Sequence, residues 1–332
     1  MPIHPLTLAE LPALGSLKEP WALSLDRRLT QPVSPQVAGW ASLLPYRISG
    51  ACTLVHKEGD VLAYVQTQAR PGHDKLGVLH LGLAPKASAA LLSALLEQMC
   101  RRAAEHGASR LFAAVVEAEG AEAFRQAGFV PYADETIYRM LHEETREEEI
   151  SRPASPFAIR PQRPRDVWGI HSLYSAVTPR PTQLVENLTS DNWEVPSPGW
   201  RSWLKRRCQQ HLVLEVEASI CGYLYLARGR KGHSLEMMIH PQRRDLAVHL
   251  LQAGLCLGTS YPPLPTYCAL RGYQTELGGI LESAGFEAID QQTLLARQMT
   301  VRVRQRQRIF QPVLERTLEP ARSVQQMQES RP

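Results

Sequence analysis

Glu236 stands between Leu235 and Met237, four residues ahead of His240-Pro241. The chain then reads Gln242-Arg243-Arg244-Asp245-Leu246-Ala247 as it enters an apolar run through Leu250, Leu251, Leu255 and Cys256. A carboxylate or an imidazole at such a place can take up a proton, and the phenol of Tyr273 can give one. Two arginines at a helix entrance suit an anion, because the free N–H groups of the first turn and the aligned peptide dipoles attract negative charge. Asp245 opposes this, since a carboxylate there can cap the helix, occupy the same donors and repel the anion. Plainer readings stand beside these. A glutamate alternating with Leu235 and Met237 suits a solvent-facing strand position, Arg243-Arg244 an exposed helix entrance, and Tyr273 a packing or surface position.

Other chemistries find little support. Gly-x-Ser-x-Gly, Gly-x-x-x-x-Gly-Lys and Gly-x-Gly-x-x-Gly are absent, which removes hydrolase, kinase-like and dinucleotide readings. The six cysteines sit mostly in apolar stretches without a Cys-x-x-Cys, so they read as reduced and buried. Cys208-x-x-His211 lacks the second pair that a structural zinc site needs, and no metal is expected. The net charge of +4 is weak; Lys205-Arg206-Arg207 and Arg302 to Arg308 read as solvated faces, which weighs against nucleic acid. No apolar run reaches the roughly 18 residues of a membrane span, and Met1-Pro2-Ile3-His4-Pro5 has no signal-peptide character. A cytoplasmic protein is expected. Its oligomeric state cannot be read.

The elements that must position these residues occur twice. Ile3-His4-Pro5-Leu6-Thr7-Leu8-Ala9-Glu10 returns in shape as Ile159-Arg160-Pro161-Gln162-Arg163-Pro164-Arg165-Asp166, 156 residues later. Each copy leads into helically spaced apolar residues, with a Thr7/Glu10 capping box in the first and Pro164 in a first turn in the second. Hairpins follow at 51–67 and 212–226. Next come strand-proline-helix units, with Pro85 and Pro241 again 156 apart. Each half closes with a helix ended by Ala-Gly-Phe, at Ala127-Gly128-Phe129 and Ala284-Gly285-Phe286, and with last strands expected near 135–141 and 293–303. The spacing predicts an α/β (α+β) chain with a mixed, mostly antiparallel sheet in each half: domains at 1–145 and 157–310, a charged linker at 146–156 and a tail at 311–332.

This order of elements resembles the GNAT acyltransferases, twice over and across almost the whole chain. Its best local carriers are Phe124-Arg125-Gln126-Ala127-Gly128-Phe129-Val130-Pro131-Tyr132 and His240-Pro241-Gln242-Arg243-Arg244. The pattern is similar to bacterial tandem GNAT proteins in which one copy has degenerate motifs. The resemblance implies acetyl-CoA as acyl donor and an amine, on a small molecule or a peptide, as acceptor. It implies that Met238, Ile239 and Gln242 to Ala247 (Gln242, Arg243, Arg244, Asp245, Leu246, Ala247) face the cofactor. Gln242 and Ala247 fit the family's loop, whereas Asp245 replaces its first glycine. The first half departs further, with Lys86, Ala89 and Leu91 at the three key places. The resemblance also implies Glu236 as the base, with His240 second, and only His80 at the matching place of the first half. The family's tyrosine acid falls on Phe124 and Leu281, which cannot donate a proton, so Tyr273 is the remaining candidate. Two functions follow: an N-acyltransferase working mainly through the second half, or a catalytically silent tandem protein that binds a ligand or a partner.

Overall fold

In chain order the first half supplies strands β1 (Ile3–Pro5), β2 (Ala51–Glu58), β3 (Val61–Ala69), β4 (Lys75–Leu83), β5 (Arg110–Val115) and β6 (Val130–Met140). The second supplies β7 (Ala158–Pro161), β8 (Gln209–Val216), β9 (Ser219–Ala227), β10 (His233–Ile239), β11 (Thr266–Arg271) and β12 (Glu287–Gln298). The computed structural model describes residues 3–58, 61–70, 74–84, 89–142, 157–194 and 208–299. The expected linker, the tail, Lys86 and the basic runs at 205–207 and 302–308 lie outside the described residues.

The strands of each half follow the expected order up to the fifth. The hairpins β2–β3 and β8–β9 are antiparallel, and the strand-helix-strand units make the parallel pairs β4–β5 and β10–β11. The two expected sheets, however, are one. The order is β1-β2-β3-β4-β5-β12-β6-β11-β10-β9-β8-β7, so each half's last strand pairs with the other half's fifth. β6 and β12 run antiparallel side by side, with Glu135 opposite Gln292. Those residues are 157 apart, so the ladder is centred on the repeat's own two-fold axis. The last strands also lie earlier than expected, at Val130–Met140 and Glu287–Gln298, because they begin directly after the Gly-Phe turns.

On one face of the sheet, helix Ala89–Glu105 buries Leu92, Leu95, Leu96, Met99 and Ala103, one apolar stripe at 3.6-residue spacing, against Leu54, Val65, Leu76 and Leu111. Its counterpart Ala247–Gly258 buries Ala247, Leu250 and Leu251 against Leu214, Leu224, Leu226 and Leu235. Gly254 allows the close approach, since a Cβ there would stand 2.6 Å from Leu224 Cδ1. The opening segments cover the other face and differ between halves. The second contains helix Val167–Val177, with Ile170 and Leu173 in its core. The first forms a 3₁₀ helix, Leu8–Gly15, in place of the expected amphipathic helix; Pro12 inside it cannot donate an α-helical bond. The Thr7/Glu10 box is present, Glu10 accepting from the Thr7 N–H at 2.9 Å.

Both Ala-Gly-Phe sequences stop their helices through a left-handed glycine. Gly128 has φ +81° and Gly285 φ +91°, and the following Phe N–H reaches back to Phe124 O and Leu281 O at 3.0 Å in each case. Phe129 and Phe286 are each 2% exposed. No described helix is long and apolar enough to cross a membrane. Phe286→Ala should cost about 3–5 kcal/mol, the usual range for an emptied aromatic core position, read as the loss of unfolding free energy in urea. A loss under about 1 kcal/mol would contradict its place in the core.

Candidate active site

Within each parallel pair the strands touch over three positions and then part. β10 and β11 pair at His233↔Thr266, Ser234↔Tyr267 and Leu235↔Cys268; β4 and β5 pair at Lys75↔Arg110, Leu76↔Leu111 and Gly77↔Phe112. Beyond them each pair opens a wedge lined by unpaired backbone, and such groups must find partners. The two halves supply different ones.

In the first half the chain fills its own wedge. Leu23, only 1% exposed, bridges Val115; Ser24 N–H donates to Ala114 O at 2.9 Å, and Val116 N–H to Ala22 O at 3.2 Å. On the β4 side Leu83 N–H reaches Lys18 O at 3.3 Å, and the Ser24 hydroxyl reaches Val78 O at 3.5 Å. Glu117 holds the segment further by accepting from Ala22 N–H at 2.9 Å. His80 is buried and tied to the Glu19 carboxylate, which also binds Arg28 at 2.9 Å.

In the second half no described segment pairs with the free edge of β10 beyond Leu235. One side chain reaches it: Gln274 donates to Met237 O at 3.1 Å. Because strand residues alternate sides, the peptide groups of Ile239 face the wedge as those of Met237 do, whereas Met238 pairs with Tyr223 of β9. Glu236 occupies the place of His80. Across β10–β9–β8 the row reads Glu236–Tyr225–His211, where the first half has His80–Gln66–Thr53.

The Glu236 carboxyl reaches solvent, yet protein crowds it from most sides. That desolvation, opposed by Arg271 and Arg70 and reinforced by Asp26 and Glu135, pushes its pKa up to about 7. Arg271, the last residue of β11, binds Glu135 at 2.8 Å and Glu186 at 3.0 Å. Burial alone would lower its pKa, but the two carboxylates outweigh burial and fix it as a cation. Glu135 is buried, which raises its pKa, and it accepts from Gln292 at 2.7 Å. Asp26, 3.4 Å from the Gln292 amide, comes from the first half's helix Leu25–Thr30. Asp26, Glu135 and Arg271 were not among the residues singled out by sequence. The available signal was Arg271 itself, a cation closing an otherwise apolar strand where the first half, 156 residues earlier, has Val115.

The remaining candidates fall at the rim. Tyr273 sits in the turn after β11, its hydroxyl 3.5 Å from that of Thr178; burial raises its pKa while Arg271 opposes. His240 caps the turn Pro241–Leu246, its Nδ1 accepting from Gln242 N–H at 3.3 Å. That bond takes the lone pair a base would use and leaves the neutral ring's proton on Nε2. Asp245 does not cap the helix. Residues 241–246 wind as a 3₁₀ turn kinked at Arg243, Leu246 becomes the helix N-cap, and among the described residues no side chain caps the first turn of Ala247–Gly258. Gln242 and Asp245 are exposed, and Leu246 and Ala247 are buried in the core. Arg244 is held by Glu276 at 2.8 Å. At the family's tyrosine positions, Phe124 and Leu281 are fully buried.

No protein-family model and no curated protein matches the chain. Among solved structures it is similar to a tandem GNAT protein from the clavulanic acid biosynthesis pathway, with TM-score 0.53 and 15% identity over 90% of this chain and 98% of that one. It is also similar to a GCN5-related N-acetyltransferase from Sphaerobacter thermophilus, with TM-score 0.56 and 14% identity over 90% and 95% of the two chains. At this identity the likeness is one of fold: the chain has the architecture of a tandem GNAT protein from end to end of its described sheet.

The Glu236 environment has a consequence for stability. An unfolded glutamate titrates near roughly 4.3. A folded pKa near 7 means that ionising Glu236 disfavours the folded state, so stability relative to Glu236→Gln is full below the unfolded value and is lost as pH rises through about 7. Urea midpoints should therefore show wild type losing ground to Glu236→Gln between pH 5 and pH 8. The same gap at both pH values would contradict the raised pKa.

Proposed function

We propose that the protein is an acetyl-CoA-dependent N-acyltransferase acting through its second half, residues 157–310, with Glu236 as general base. The observation that carries this reading is the difference between the wedges: the chain fills one, and among the described residues no segment fills the other, beside which Glu236 reaches solvent. Acetyl-CoA would supply an acetyl thioester for an amine to attack. The residues suited to hold it are Ile239, whose peptide faces the wedge, with Met238 beside it, the turn Gln242 to Leu246, and the uncapped first turn at Ala247. Arg243 and Arg244 would supply positive charge there, with Asp245 opposing. Glu236 would take the proton from an acceptor ammonium, a role that suits a pKa close to the working pH. Tyr273, next to the same Arg271 cation, would return a proton to the departing thiolate. His240 is the weaker base, because its Nδ1 is engaged.

Two observations favour the alternative, a silent tandem GNAT-like protein that binds a ligand or a partner. Leu281 is fully buried at the family's acid position, and Gln274 takes the Met237 carbonyl in the wedge.

Calorimetric titration with acetyl-CoA decides between them. The expected result is one site per chain, because the first wedge is filled. Arg243→Ala combined with Arg244→Ala should weaken binding by about 1–3 kcal/mol, and Asp245→Gly should strengthen it by removing a carboxylate from the anion's place. With an acceptor in hand, kcat/KM should rise with pH through about 7 and level off, and Glu236→Gln should lose roughly 10²–10⁴-fold. No binding at millimolar acetyl-CoA by either wild type or Asp245→Gly would leave the silent reading, and two sites per chain would overturn the assignment to the second half.

A further inference from the structure

A second recess lies in the first half, beside the filled wedge. It encloses about 570 Å³, within the range of small-molecule sites, and its walls join the 3₁₀ segment, helix Leu25–Thr30, the turn that follows it and β4. His80 lies in its wall, while Lys231 enters from the other half on the turn between β9 and β10. Its charge is one-sided. Lys18, Arg27, Arg28 and Lys231 face a single carboxylate, Glu19, and that carboxylate is already shared between Arg28 and His80. Arg27 donates to the neutral Gln68 at 2.8 Å, and the carboxylate that acts on it, Asp26, is not in the recess wall. Among the described residues neither Lys18 nor Lys231 has a carboxylate partner. Lys231 is fixed at its backbone, its N–H donating to Thr30 O at 3.2 Å, so the fold brings the base of this side chain to the recess. Leu17, Leu79 and Pro35 give the remaining wall an apolar character.

We propose that this recess binds a small organic anion, with a carbon skeleton against Leu17 and Leu79 and two or more negative charges met by Lys18, Arg27, Arg28 and Lys231. Concave walls carrying one sign of charge concentrate the opposite sign, and arginine forks bind carboxylate and phosphate oxygens with directional, charge-assisted bonds. The site is for binding, not for transfer. The wedge where a thioester would have to lie next to His80 is taken by Leu23 and Ser24, and His80 itself is engaged with Glu19. It is therefore independent of the acyl-transfer reading, which concerns the open wedge of the second half.

The test is calorimetric titration of the full chain with citrate and, separately, with pyrophosphate, at constant ionic strength. We expect one site with Kd at or below about 1 mM for at least one probe, and the probe that binds tells carboxylate from phosphate chemistry. Lys18→Glu combined with Lys231→Glu should weaken binding at least tenfold, whereas Arg125→Glu, on an exposed helix face elsewhere, should leave it unchanged. If charge reversal unfolds the chain, Lys18→Gln with Lys231→Gln should still weaken binding severalfold. Saturating citrate should leave acetyl-CoA titration unaltered. The proposal is overturned if neither probe binds below about 10 mM, if Arg125→Glu weakens binding as much as the paired lysine variants, or if those variants bind like wild type.

Discussion

The rest of the molecule hangs on the contact between Glu135 and Gln292 at the centre of the sheet. A carboxylate 8% exposed needs its oxygens satisfied, and two groups do this: the Gln292 amide at 2.7 Å and the Arg271 guanidinium at 2.8 Å. The same Gln292 uses its carbonyl oxygen to accept from Leu25 N–H at 3.0 Å, which anchors helix Leu25–Thr30 at the junction of the halves. From that anchor the chain immediately before the helix runs back into the β4–β5 wedge, where Leu23 and Ser24 lie. From the helix's other end Thr30 O receives the N–H groups of Arg230 and Lys231, binding the loop that leads into β10. One buried pair thus links the exchanged strands, the segment that fills the wedge and the loop leading to the strand that carries Glu236.

The repeat serves as its own control on what the site requires. At a separation of 156 residues, Val115 and Arg271 end equivalent strands. The apolar residue receives Leu23, while the cation collects Glu135 and Glu186 and lowers the cost of ionising Glu236 nearby. His80 and Glu236 differ in the same sense. The histidine is bound to a residue of the filling segment, and the glutamate is left facing solvent. Helix Leu25–Thr30 then joins the two outcomes, with Arg27 and Arg28 toward the first half's recess and Asp26 toward the second half's site.

The duplication, the hairpins, the strand-helix units and the Gly-Phe helix ends were legible because each is set locally: period-2 or period-3.6 patterning, or a left-handed glycine that only a few residues surround. The exchange of β6 and β12 was not. The two strands have nearly the same pattern, and nothing within either says whether it pairs with its own fifth strand or with the other half's. The filled wedge was hidden for a related reason, since Trp21-Ala22-Leu23 has no helical or strand period long enough to register. Glu236 was singled out by its place before Pro241, but the charges that act on it, Arg271, Glu135 and Asp26, come from three separate elements that the exchange brings together. Asp245 misled because capping was judged from residue type alone, whereas the kink at Arg243 moves the helix start past it.

The exchange also explains how one chain can carry an open wedge at all. Parting two parallel strands leaves backbone donors and acceptors that protein, water or a ligand must satisfy, and a half that leaves them to water has fewer internal bonds holding its strands together. In this molecule the open half is not left to its own resources. Its β11 is paired along its whole length with β6 of the other half, from Thr266↔Met140 to Arg271↔Glu135, and β6 is in turn fixed by β12. The closed half, its wedge filled by Leu23 and Ser24, therefore braces the strand that forms one wall of the open one. Among the described residues, the half whose wedge is filled by its own chain thus supplies the strand that pairs along the whole of β11, one side of the wedge that no described segment fills.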